Sequence, residues 1–263
     1  MRVKLIRAAV LLFAPVCLST TALAQDGDEA PNVGAVEIYT CNYADGAGAK
    51  DLDKVVGKWN KWADKNFEAP YSAWTLTPMA TGSDFEADIG WLGAFANGSD
   101  MGKVTQNWNS KGAEHQAAFD AVIPCDSHSY WSSVNMKMPA GDGWPGKNGS
   151  SSVTVFSDCT AEEGTTLEDA MAVHSAWADH LTSRGSESGL WVFLPAFGAA
   201  DVNGHYKVVA GYPSYEEWGN DHNDYTNGGG WLKGRELMEG VLACDTPRVY
   251  TTTLVRNGGV SAN

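Results

Sequence analysis

Apolar and polar positions alternate with a period of two in several short runs and with a helical period in longer ones, and the two kinds of run follow a fixed order. In Ala35–Cys41, Val36 and Ile38 alternate with Glu37 and Tyr39, which is a strand pattern. Within Leu52–Lys65, Leu52, Val55, Val56, Trp59 and Trp62 make one apolar stripe at helical spacing. Strand patterns return in Tyr71–Met79 and Glu86–Phe95, a second helical region covers roughly Met101–Ala121, and Tyr130–Met138 is a last strand. The order then recurs. Strand Val153–Cys159 precedes helix Leu167–Ser183, strands Leu190–Phe197 and Tyr206–Tyr212, a helical region Tyr215–Leu242 broken by Gly228-Gly229-Gly230, and strand Val249–Arg256. Asp51 and Thr166 stand where caps of the two first helices are expected.

The recurrence is also literal. LDKVVGKWNKWAD (Leu52–Asp64) matches LEDAMAVHSAWAD (Leu167–Asp179), and WTLTP from Trp74 matches WVFLP from Trp191. Met101-Gly102 matches Trp218-Gly219, Trp108 falls on Tyr225, and the segments reaching Cys125-Asp126 and Cys244-Asp245 correspond. Four matches in one order indicate a tandem duplication. The repeats span 34–138 and 153–256, with tails at 25–33 and 257–263. The linker 139–152, PAGDGWPGKNGSSS, is rich in turn formers. Each repeat reads βαββαβ, the ferredoxin-like unit, so the expected class is α+β.

Residues 1–24 stand apart. Arg2, Lys4 and Arg7 precede an apolar run that ends in Ala22-Leu23-Ala24, the pattern of a secretory signal peptide. The run is too short for a membrane span, and Cys17 is expected to leave with it. The expected location is periplasmic or secreted. Cys41, Cys125, Cys159 and Cys244 remain, an even number in an exported chain. The first and last strands of a βαββαβ sheet are antiparallel neighbours, which brings Cys41 to Cys125 and Cys159 to Cys244. Each bridge closes a loop of about 85 residues, worth roughly 4 kcal/mol. A metal site is the poorer alternative, because no CxxC pair gathers ligands.

Composition then narrows the field. With 18 Lys and Arg against 32 Asp and Glu, the net charge is −14, and loss of the leader makes the chain more acidic still. That argues against nucleic-acid binding and against docking on anionic lipid. Eleven Trp within a 43% hydrophobic composition imply a packed core. The expected partner is a small molecule, with the protein a monomer or a weak homo-oligomer.

A ferredoxin-like sheet carries helices on one face only, and two such units can close their open faces into a barrel. The duplicated layout resembles the dimeric α/β-barrel superfamily in a fused two-repeat form. The resemblance implies a ligand site in the barrel interior or between sheet and helices. It also implies activities that range from cofactor-free monooxygenases and isomerases to haem-degrading and chlorite dismutase-like haem proteins. Val36 and Ile38 are expected to face the core, sending Glu37 and Tyr39 to the interior. Val134, Met136 and Met138 likewise leave Trp131, Ser133 and Asn135 opposite. Val155, Ser157, Thr251 and Thr253 are their counterparts in the second repeat, and Trp74 and Trp191 hold equivalent places. The candidate ligand residues are therefore Tyr39, Trp74, Trp91, Ser133, Asn135 and Trp191. Glu37 is the candidate general base, because half-apolar surroundings suit a carboxyl to proton transfer. No cofactor is expected; haem is the alternative the resemblance raises. In that case His222 or His115, each in a second helical region, is the axial ligand. Asn42, Trp91 and His115 would then stand for the Asn, Trp and His of haem-degrading relatives, though their spacing departs from that pattern. No HExxH, phosphate loop or nucleophile elbow is present, and no metal site is expected; Asp45, Asp51 and Asp53 read more simply as acids near a helix start.

Overall fold

A computed structural model of the chain describes residues 33–83, 85–140, 146–199 and 205–260. Residues 1–24, where a leader is expected, and the middle of the expected linker lie outside the described residues. The first repeat comprises β1 (Val33–Cys41), α1 (Ala49–Asn66), β2 (Ser72–Ala80), β3 (Ile89–Phe95), α2 (Gly98–Lys111), α3 (Ala113–Asp120) and β4 (Cys125–Lys137). The second comprises β5 (Ser151–Ala161), α4 (Leu167–Ser183), β6 (Gly189–Phe197), β7 (His205–Tyr212), α5 (Tyr215–Asn227), α6 (Gly230–Met238), β8 (Leu242–Cys244) and β9 (Arg248–Arg256).

Each repeat forms a four-stranded antiparallel sheet, β4-β1-β3-β2 and β9-β5-β7-β6. Two seams, β2 with β9 and β4 with β6, join the sheets edge to edge. Among the described residues eight strands thus close a barrel, which removes the free edges that an open sheet would expose. Side chains at alternate positions fill it: Val36, Leu76, Leu92, Trp131, Phe156, Phe193, Val209 and Tyr250 form one buried cluster drawn from both repeats. Toward one end Asp158 takes ion pairs from Lys207 at 2.6 Å and Arg248 at 2.8 Å, and Lys207 also stands over the Trp131 ring.

Helices cover the outer face of each sheet. In the first repeat Leu52, Val56, Trp59 and Ala63 of α1 pack on Ala35, Cys41, Tyr71, Ala73 and Trp91. In the second, Ala170 and Val173 of α4 pack on Cys159, Val192 and Tyr206. The expected helix Met101–Ala121 is two helices, broken at Gly112. A Cβ there would stand 2.6 Å from the Trp108 ring, so glycine lets that ring fold back over the turn.

The expected cap at Asp51 is not one: Gly48 precedes α1 with no side-chain bond, and Asp51 lies in the first turn, bonded to Lys54. Thr166 does cap α4. Its Oγ1 accepts from Asp169 N, and Asp169 Oδ2 accepts from Thr166 N, a reciprocal capping box. Thr166→Ala is expected to cost about 1 kcal/mol, read from the urea midpoint; an unchanged midpoint would exclude the cap's contribution.

Both expected disulfides are present, Cys41–Cys125 and Cys159–Cys244, each across a directly paired position of neighbouring strands. The faces of β1, β5 and β9 are exchanged relative to expectation. Val36 and Ile38 belong with the barrel interior, while Glu37 and Tyr39 turn toward the helices. In the second repeat Phe156 and Tyr250 join the interior cluster, and Thr154 and Thr252 bond one another there, rather than Val155, Ser157, Thr251 and Thr253. For β4 the expectation holds for Trp131, Ser133 and Asn135 on the barrel side and for Met136 opposite, but Met138, past the register shift at Asn135–Lys137, lines the barrel cavity rather than the helix side. Among the described residues no helix is long and apolar enough to cross a membrane.

Candidate functional site

The register of the first sheet assembles a polar cluster from residues far apart in sequence. Glu37 sits on β1 with Tyr130 opposite it on β4 and Gly93 opposite it on β3. One step along the same face, Tyr39 lies between His128 and Trp91. Tyr71, just before β2, reaches over Gly93. A Cβ at Gly93 would overlap the Tyr71 hydroxyl and come within 2.8 Å of Glu37 Cγ, so the glycine makes room for both.

Glu37 is buried, at 7% exposure, yet well supplied with donors. Tyr71 Oη donates to Oε1 at 2.5 Å, Tyr39 Oη donates to Oε2 at 3.4 Å, and His128 Nε2 lies 3.1 Å from Oε2. Trp91 Nε1 donates to Tyr71 Oη at 2.9 Å, which fixes the phenol's orientation. Tyr39 stacks flat on the partly exposed His128 ring at 3.8 Å. Burial, and after it the negative charge of Glu37, pushes the Tyr39, Tyr71 and Tyr130 phenols above their ordinary pKa. All three stay protonated and can donate to a carboxylate.

This cluster forms the floor of a cavity of about 700 Å³ between the sheet and α1, α2 and α3. Trp59, Trp108 and Phe119 supply its helical wall, and Asp120, Asp126 and Ser127 are exposed at its rim. The arrangement suits a small molecule with an apolar body and a hydrogen-bonding group turned to Glu37.

A smaller cavity of about 420 Å³ opens inside the barrel and is lined from both repeats. Trp74, Ser133, Asn135 and Trp191 lie there together, near Phe193, Thr154 and Thr252. The residues expected to share one interior site are therefore divided between two. Glu37, Tyr39 and Trp91 belong to the helix–sheet cavity; the other four belong to the barrel. Cys125 borders the larger cavity through its bridge.

His115 and His222 line neither. His115 lies on α3 with its ring 5.1 Å from Trp62, and His222 is exposed on α5. The histidine that borders the larger cavity, His128, is held by Glu37 and Tyr39. Neither His115 nor His222 therefore stands where a haem held in one of these cavities would need its axial ligand. Among the described residues no cluster of His, Cys, Asp or Glu could hold a metal ion.

Tyr71, His128, Tyr130 and Gly93 escaped the sequence reading. His128 lies before the start expected for its strand, and Tyr71 at the very edge of its own; their proximity to Glu37 depends on cross-strand register. The second repeat offers an internal comparison. The pairings that place Gly93 and Tyr130 beside Glu37 place Ala210 and Val249 beside Val155. Ser157 and Val208 replace Tyr39 and Trp91, and the aligned helices put His174 where the first repeat has Trp59. Among the described residues the polar cluster lies in the first repeat.

No protein-family model matches the chain, and no curated protein does. Solved structures do. A "putative monooxygenase" from Lactobacillus acidophilus superposes with a TM-score of 0.55 at 8% identity, covering 85% of this chain and 95% of its own. A "putative monooxygenase" from Fusobacterium nucleatum gives 0.55 at 6% identity, with 87% and 94% covered. A "putative chlorite dismutase" gives 0.50 at 12% identity, with 87% and 97% covered. At such identities the likeness concerns architecture. Two ferredoxin-like repeats, their edges joined into one closed barrel with helices outside, give this chain the dimeric α/β-barrel fold in its fused form.

Proposed function

We propose that the protein binds a small organic molecule in the helix–sheet cavity of its first repeat, anchored by Glu37. The observation that carries this reading is a buried carboxylate, surrounded by protonated phenols and an imidazole, on the floor of an otherwise aromatic cavity. Such a group is costly to bury and is absent from the corresponding place in the second repeat, so stability of the fold does not account for it. The same atoms suit proton transfer. Glu37 can take a proton from a bound O–H or C–H acid, with His128 at the rim to pass it to water. Two features support work outside the cytoplasm: the leader-like segment at 1–24, and paired disulfides, which persist in oxidising compartments.

Titration of naphthols and naphthylamines against tryptophan fluorescence tests the site. At least one compound is expected to bind, and Glu37→Gln is expected to weaken it about tenfold, the value of one charge-assisted hydrogen bond. Equal affinity in the variant would overturn the reading.

A further inference from the structure

Resting on that reading, we infer that the molecule this cavity takes is an organic cation, an alkylated or quaternary ammonium compound.

The cavity is built for positive charge. Among the described residues its lining includes Glu37, Asp120 and Asp126 but no Lys or Arg. The groups facing Glu37 are Tyr39 on its own strand, His128 and Tyr130 from β4, Tyr71 before β2, and Trp91 behind Tyr71 on β3. The phenols and the indole are neutral: they solvate the carboxylate without cancelling its charge. Only His128 could cancel it, and only when protonated. A buried carboxylate without a cationic partner gains from a ligand that brings one.

The walls add a second attraction. Trp59 and Trp91 meet at 75° with centroids 5.4 Å apart, Trp91 and Phe119 at 78° and 5.5 Å, and Trp59 and Tyr71 at 90° and 6.1 Å. These rings pack edge to face on one another and line the cavity, and a cation within it is attracted to whatever π-surface that lining turns toward it. Two of the lining rings already receive a cation from a residue outside the lining: the Arg256 guanidinium stands 5.7 Å from the centroids of both Trp59 and Phe67, paired to Asp64 at 2.8 Å. The acidic chain and the rim carboxylates concentrate cations at the entrance.

The test compares two probes of one shape, choline and its uncharged carbon isostere 3,3-dimethylbutan-1-ol. Both are titrated by tryptophan fluorescence and calorimetry at pH 8. Choline is expected to bind at least tenfold more tightly than the isostere. Glu37→Gln, with its fold checked by circular dichroism, is expected to bring the two within about twofold by weakening choline alone. Equal binding of the two probes by the unmodified protein overturns the inference without reference to any variant. If a naphthol binds in a Glu37-dependent way while choline shows no advantage, the cation assignment fails and the binding site stands. If no probe of any kind binds, both fail.

Discussion

Lowering the pH from 7 to about 4 is expected to weaken the fold by roughly 3 kcal/mol through His174 alone. This side chain lies on α4 at 1% exposure, packed edge-on against Tyr206 and sharing a 2.9 Å hydrogen bond between Nε2 and the phenol oxygen. Its Nδ1 has no hydrogen-bond partner. Burial pulls the imidazole pKa down to about 4. The sign follows from which state holds the proton. Below the ordinary imidazole pKa of about 6.5 the unfolded chain binds a proton at this residue, and the folded chain does not until pH falls to about 4. Stability is therefore fully present above about 6.5 and lost as pH falls through that window. Urea midpoints measured across it, for the natural chain and for His174→Leu, isolate the effect, because other titrating groups act on both. The natural chain should show the steeper loss on acidification; parallel curves would remove His174 from the account.

Opening either disulfide should cost more, roughly 4 kcal/mol, because each spans a long stretch of chain. Cys41–Cys125 joins residues separated by 84 positions and Cys159–Cys244 by 85. Natural domains keep only about 5–15 kcal/mol in reserve, so one bridge is a large fraction of the whole. The two losses are expected to differ in a second respect. Cys125 lines the larger cavity, and its bridge holds β4 to β1 close to His128, Asp126 and Tyr39. A Cys41→Ala/Cys125→Ala double variant should lose both stability and probe affinity, whereas Cys159→Ala/Cys244→Ala should lose stability with affinity retained. Denaturant unfolding and fluorescence titration of the two variants read the contrast; equal affinities would show that the bridge does not shape the cavity.

The order of elements, the duplication and the cysteine pairing were legible in the sequence because each rests on local pattern repeated twice. Gly228-Gly229-Gly230 marked the break between α5 and α6, but the matching break at Gly112 lay under a single glycine inside a continuous helical pattern. The faces of the strands were not legible, for a physical reason. β1 is covered on one side by helices and on the other by the barrel core, so Ala35, Val36 and Cys41 are buried together. Alternation reports in versus out only when one face meets water. That ambiguity sent Glu37 and Tyr39 to the barrel, and it separated them from Tyr71, His128 and Tyr130, which only the cross-strand register brings near. The replacement of Trp59 by His174 was visible in the aligned helices; its meaning depended on knowing that both positions lie against the sheet.

Closure of the barrel within one chain has a consequence for stoichiometry. A barrel assembled from two identical chains must, by symmetry, carry every pocket that lies off its two-fold axis twice, and the two copies can communicate across the shared strands. Here the halves are covalently joined and free to differ. The first has Glu37, Tyr39 and Tyr130 where the second has Val155, Ser157 and Val249. On the proposed reading, saturation should therefore follow a simple hyperbola with one equivalent per polypeptide.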